Sequence, residues 1–221
     1  MKLKYKKLVI IITIATFAIG FLILTLIPTG GNSQHAEEAK LKLNENEEIV
    51  KLMTDFFQAK KTVNMEAMSE LVSDSSQIPR ENFTILAEYV EDYENFNCYM
   101  IENLDEDAYR VYVKYDMKLK NVDTLTPCLS AFYITSTSDN RYIIYLSALD
   151  ENQVDFITSA DKNMEIVKLK TQVSEEFNNV INQDAGCKQF YQKIQEKIKA
   201  ASGAAIDSDL TLNSASGAAA K

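Results

Sequence analysis

From Leu8 to Ile27 the chain reads LVIIITIATFAIGFLILTLI, a run without a single charge. A helix of about 20 apolar residues spans the ~30 Å hydrocarbon core of a bilayer, so the run predicts a transmembrane helix. A cleaved secretory leader carries a shorter apolar region of about 7–15 residues and a small-residue cleavage site. Here Ile27 is followed by PTGGNSQH, and the segment reads as an anchor. No Cys stands directly after the run, which excludes a lipoprotein anchor. Lys2, Lys4, Lys6 and Lys7 hold the N-terminus in the cytoplasm by the positive-inside rule. The expected layout is a single-pass cell-membrane protein, with a cytoplasmic end over 1–7, a span over 8–27, a polar stalk over 28–43 and everything after it outside. Gly20, whose only small partner four residues away is Thr16, reads as lipid-facing.

Charge divides along the same line. Those four lysines are all the charge of residues 1–35, so the remainder carries 32 acids against 19 of the 23 bases. An acidic exterior is repelled by nucleic-acid phosphate and by anionic lipid, and no nucleic-acid partner is expected. With 46% hydrophobic residues and only 6 Gly and 3 Pro, the exterior is a folded, element-rich chain. One His, three Cys and no Trp leave little for zinc sites or acyl-transfer triads, and no cofactor is expected. His35 sits in the stalk without a ligand-spaced partner and reads as solvated. Cys98, Cys128 and Cys187 are an odd number outside the cytoplasm. Cys98 and Cys128 fall on non-adjacent strands, too far apart to bridge, and all three read as small apolar fillers.

The period of the apolar residues then sets the fold class. In Asn44-Glu45-Asn46-Glu47 a capping residue is followed three later by Glu, which starts a helix. Ile49, Val50, Met53, Phe56, Phe57 and Ala59 form its apolar face to about Thr62. Asn64 caps a short helix with Met65, Met68, Leu71 and Val72. Pro79 opens a third helix bearing Phe83, Leu86, Ala87, Val90 and Tyr93. Asn82-Phe83-Thr84 fits a glycosylation sequon by chance.

After Asn95 the period drops from 3.6 to 2. Nine of the eleven tyrosines lie between 89 and 145, the enrichment expected of strands. In YRVYVKYDMKL (109–119) the odd positions are apolar or aromatic, while Arg110, Lys114, Asp116 and Lys118 point the other way, predicting a half-buried antiparallel strand. FNCYMI (96–101), CLSAFYITS (128–136) and RYIIYLS (141–147) complete a four-stranded meander, with turns at 104–107 and 137–140. From Asp150 the pattern is helical again. A short segment holds Val154, Phe156 and Ile157, a stripe runs through Ile166, Leu169, Val173, Phe177, Val180 and Ile181, and after a break at Gly186 a last helix carries Phe190, Tyr191, Ile194 and Ile198. Residues 202–221 read as a flexible tail that repeats Ala-Ser-Gly-Ala-Ala. The expected class is α+β: helices packed on a curved four-stranded antiparallel sheet over 44–149, with a helical extension over 150–201.

This order resembles the nuclear transport factor 2-like (cystatin-like) fold, and in pattern it is similar to uncharacterised membrane-anchored Firmicutes proteins of that fold. The residues carrying the resemblance are KLMTDFFQAKKTVNMEAMSEL (51–71), YRVYVKYDMKL (109–119), NVDTLTPCLSAFYIT (121–135) and ITSTSDNRYIIYL (134–146), and it covers about 45–200. It implies a sheet wrapped around helices as a cone. Some enzymes of this fold resemble ketosteroid isomerase and use an inward carboxylate as base. Asp116 is the candidate base, but its parity places it with Lys114 and Lys118 on the solvated face. Tyr89, Tyr115 and Tyr133 are the candidate ligand-binding residues lining the cone. The acidic groups Glu91-Asp92-Glu94 and Asp105-Glu106-Asp107 lack the alternating ligands and central Gly of a calcium loop, and no metal site is expected. No P-loop, G-x-G-x-x-G or C-x-x-C is present. The expected function is a noncatalytic, membrane-anchored envelope protein that binds another protein or a cell-wall component. The alternatives are a small-ligand sensor or pocket enzyme, and a subunit of a membrane secretion or conjugation assembly.

Overall fold

Asn46, and not Asn44, starts the first long helix. Its side-chain oxygen accepts from the backbone N–H groups of Glu48 and Ile49, both at 3.1 Å, and α1 runs Glu47–Lys61. Asn44 has φ 52° and instead exchanges bonds with the Cys98 backbone, at 2.9 and 2.7 Å. Those bonds close a short strand, β1 (Lys42–Leu43), onto the sheet, so the end of the expected stalk is part of the fold. The structure, a computed structural model, describes residues 40–202. The expected span 8–27, most of the stalk with His35, and the tail beyond 202 lie outside the described residues. Among the described residues no helix is long and apolar enough to cross a membrane.

Asn64 caps α2 (Met65–Ser69), and α3 (Arg80–Tyr89) follows Pro79. At Tyr89 the backbone turns straight into β2 (Val90–Asn103), so Val90 and Tyr93 belong to a strand and not to the helix. Residues 90–95 carry no clean alternation because the strand is bulged twice, between Val90 and Asp92 and between Glu94 and Asn97. Each extra residue flips the side-chain parity, which is how Val90, Tyr93, Cys98 and Met100 all reach the same core. Then come β3 (Ala108–Leu119), β4 (Thr126–Ser136) and β5 (Tyr142–Ile144). All neighbours are antiparallel in the order β1-β2-β3-β4-β5, which makes five strands where four were expected. Three helices close the described chain: α4 (Glu151–Asp161), α5 (Met164–Gln183) and α6 (Ala185–Ser202). The break before α6 is at Asp184, whose carboxylate accepts from the Cys187 N–H at 3.0 Å, while Gly186 lies inside its first turn.

The odd residues of β3 face α1 and α3, where Ile49, Phe56, Phe57 and Phe83 fill the main core. Cys187, Ile194 and Ile198 of α6 belong to the same core. The even residues were expected to face water; Lys114, Asp116 and Lys118 are half-exposed, but the first half of the row is not. Tyr112 is fully buried and Arg110 is 8% exposed, because α4 and α5 cover that face. Ile101, Tyr112 and Leu129 of the sheet pack there with Ala160, Ile166, Leu169 and Val173. The sheet is thus covered on one face and on part of the other, and each apolar side chain so covered contributes about 1.5–3 kcal/mol.

Candidate functional site

The interior face of the sheet is filled by rings. Phe57 meets Tyr115, Phe96, Tyr93, Phe56 and Phe132 at centroid separations of 4.6 to 6.2 Å, mostly edge to face. Into this apolar layer the last turn of α1 sends Lys60, which is only 4% exposed. Its ammonium lies 4.9 Å from the Tyr93 centroid, 5.1 Å from Phe57 and 5.5 Å from Phe83. Among the described residues it has no ion pair and no hydrogen bond, so ring faces and the negative end of the helix are what offset its burial. Burial lowers its pKa to about 8. The nearby Cys128 thiol is pushed up to about 12, also by burial, and is not a thiolate. Lys60 lies at i+3 from Phe57 and i+4 from Phe56. A charged residue in register with an apolar stripe is the signal that sequence reading passed over.

On the opposite face a second charged group is fully paired. Arg110 donates to Asp161 through Nε and Nη2, both at 3.2 Å, Tyr112 donates to the same carboxylate at 2.5 Å, and Lys170 donates to the Asp161 carbonyl at 3.3 Å. Burial pulls the Asp161 carboxyl upward, but the two facing cations and the Tyr112 hydroxyl hold it below the usual range. Burial lowers the Lys170 pKa against the pull of Asp161. This group clasps α4 and α5 to the sheet.

A concave feature of the surface lies elsewhere, at the edge where the chain enters the sheet. Lys42 of β1, Glu45 and Asn46 before α1, and Glu47 and Glu48 of its first turn form one wall. Met100 and Glu102 of β2, Tyr109 of β3 and Tyr142 of β5 form the other, around a cavity of about 490 Å³. Lys42 Nζ bridges Glu102 at 3.0 Å and Glu45 at 3.3 Å. The Tyr109 and Tyr142 rings meet edge to face at 5.6 Å, and their hydroxyls donate to Glu102 and Asp107, each at 3.3 Å. Burial pushes the Tyr142 hydroxyl up to about 12, and it raises that of Tyr109, so both remain donors at neutral pH. The volume falls within the ~300–1,000 Å³ of ligand sites. Sequence reading did not gather these residues, because β1 brings 42–48 against positions about 55–100 residues away and no local pattern marks the meeting.

The three tyrosines expected to line one cavity are in three places. Tyr115 is in the main core, its hydroxyl 3.3 Å from Ser130 Oγ. Tyr133 pairs in register with Arg110 and so lies on the other face, edge to face with Tyr145, tilted against Phe156 and donating to Glu106 at 3.1 Å. Tyr89 packs on Phe190 of α6, with Lys197 over its ring. Asp116 is on the α5 side of β3, where it accepts from Asn95 at 2.7 Å. Cys98, Cys128 and Cys187 are free and buried. Among the described residues no group of three or more His, Cys, Asp or Glu is placed to hold a metal ion. No family model matches the chain, and no curated protein or solved structure matches it.

Proposed function

We propose that the protein is a noncatalytic binding module of the cell envelope, held outside the membrane by residues 8–27, with a nuclear transport factor 2-like domain that presents its binding face at the β1–α1 edge. The observation that carries this reading is the division between interior and edge. Aromatic side chains occupy the space between helices and sheet, whereas an open volume of about 490 Å³ lies beside the strand that follows the apolar segment in the chain. A site there meets its ligand close to the membrane. Four lysines before an uncharged run and an acidic exterior support the orientation. In intact cells, a photo-crosslinking residue at position 142 is expected to form an adduct that protease added outside releases, while one at Lys188 on α6 forms none. Absence of the position-142 adduct, or its protection from external protease, overturns the reading.

A further inference from the structure

The chemistry of the cleft narrows what it takes. Of its four carboxylates, Glu45 and Glu102 are engaged by Lys42. Glu47 and Glu48, both exposed, have no ion pair and no side-chain hydrogen bond among the described residues. An anion is a poor fit, although a helix begins here. Asn46 already takes the N–H groups of Glu48 and Ile49, and two full negative charges outweigh the roughly half positive charge of a helix N-terminus. The opposite wall sets Glu102 beside two tyrosines. Met100 is buried at its floor, and the edge-to-face pair of Tyr109 and Tyr142 offers a ring surface beside the carboxylates. A ring face beside free carboxylates suits a side chain that ends in a positive charge.

We propose, building on the binding-module reading, that the cleft receives a basic segment of a partner protein, with a lysine or arginine stem against the tyrosine pair and its charge at Glu47 and Glu48. Lys42 shows the same chemistry within the chain, since its ammonium lies between two carboxylates of this cleft. The acidic exterior steers such a partner from a distance and makes its capture sensitive to salt.

The test uses the full-length chain in nanodiscs of zwitterionic lipid and a fluorescein-labelled peptide of alternating lysine and glycine, with glutamate–glycine and serine–glycine peptides as controls. The lysine peptide is expected to bind and to weaken as salt is raised, and the two controls are not. The double variant E47Q/E48Q should lose about tenfold in affinity while keeping the far-UV spectrum of the wild type. Tyr142→Leu, which leaves the charge unchanged, should also lose affinity. The pair E175Q/E196Q removes as much charge from α5 and α6, which do not line the cleft, and should bind as the wild type does. Equal binding by E47Q/E48Q and wild type, or an equal loss in E175Q/E196Q, overturns the proposal. If the position-142 adduct forms in cells while the lysine peptide fails to bind, the module reading stands and the basic ligand is wrong. If the adduct is also missing, both fall.

Discussion

Lys60 is the residue at which the fold works hardest against solvation. Its folded pKa of about 8 lies below the ordinary 10.5, so the native state binds fewer protons than the unfolded chain between those two values. The sign follows directly. Below about pH 8 both states carry the proton and the full burial cost is present. Between 8 and 10.5 the native amine is neutral and the cost fades, and above 10.5 it is gone. Lys60→Met keeps the volume and removes the charge, so it is expected to stabilise the protein at pH 7 by about 3 kcal/mol. In paired denaturant titrations that advantage should shrink toward zero by about pH 11. A Lys60→Met protein no more stable than the wild type at pH 7 would mean that the three rings fully offset the desolvation. Position 60 was readable as part of the α1 stripe, since it follows Phe56 and Phe57 at helical spacing. Its burial depends on Phe83 and Tyr93, which arrive from other elements.

At the scale of elements, β3 shows how a regular pattern can be read half correctly. Its odd residues were assigned to a core and are there. Its even residues looked like a water-facing row because Arg110, Lys114, Asp116 and Lys118 dominate it, yet Tyr112 interrupts that row and is fully buried. The stripe of Ile166, Leu169 and Val173 was legible on α5, but it names no partner. Only packing shows that the sheet's second face is that partner. Long-chained cations survive there because they find a carboxylate, and Asp161 serves both. Asp161→Asn is expected to cost about 3 kcal/mol at pH 7, since it leaves two buried cations facing a neutral amide. The Asp161 pKa is depressed in the native state, so its contribution is present above the unfolded value of ~3.9 and is lost as pH falls through the folded one. The wild type and Asp161→Asn should therefore draw together as pH falls through the folded Asp161 pKa, which a series of urea titrations from pH 7 downward would show. A difference that persists undiminished in acid would place the effect in packing and not in charge.

For the whole molecule, the helices after Asp150 are integral to both cores. Ile166, Leu169 and Val173 cover the second face, and Cys187, Ile194 and Ile198 enter the main core. Burying six such side chains is worth roughly 10 kcal/mol, comparable to the ~5–15 kcal/mol by which a domain is stable at all. A 40–149 protein, compared with 40–202, is therefore expected to lose its cooperative unfolding transition and to associate on size-exclusion chromatography, because Ile101, Tyr112 and Leu129 would be exposed. A monomeric, cooperatively unfolding 40–149 protein would show that the sheet with α1–α3 suffices.

The sequence by itself determined the uncharged run at 8–27, the helix-to-strand-to-helix order and the interior parity of β3, since these follow from composition and from periods of 3.6 and 2 in adjacent residues. Helix caps were legible to within a few residues, because Asn44 and Asn46 are chemically alike and only the meeting of Asn44 with Cys98 separates their roles. Tertiary structure alone decided the double bulge of β2, the fifth strand at Lys42–Leu43, the second core under α5, the scattering of Tyr89, Tyr115 and Tyr133, and the cleft. Each of these depends on groups far apart in the chain being brought to within a few ångströms. Contact energies of that kind leave no period in the sequence to read.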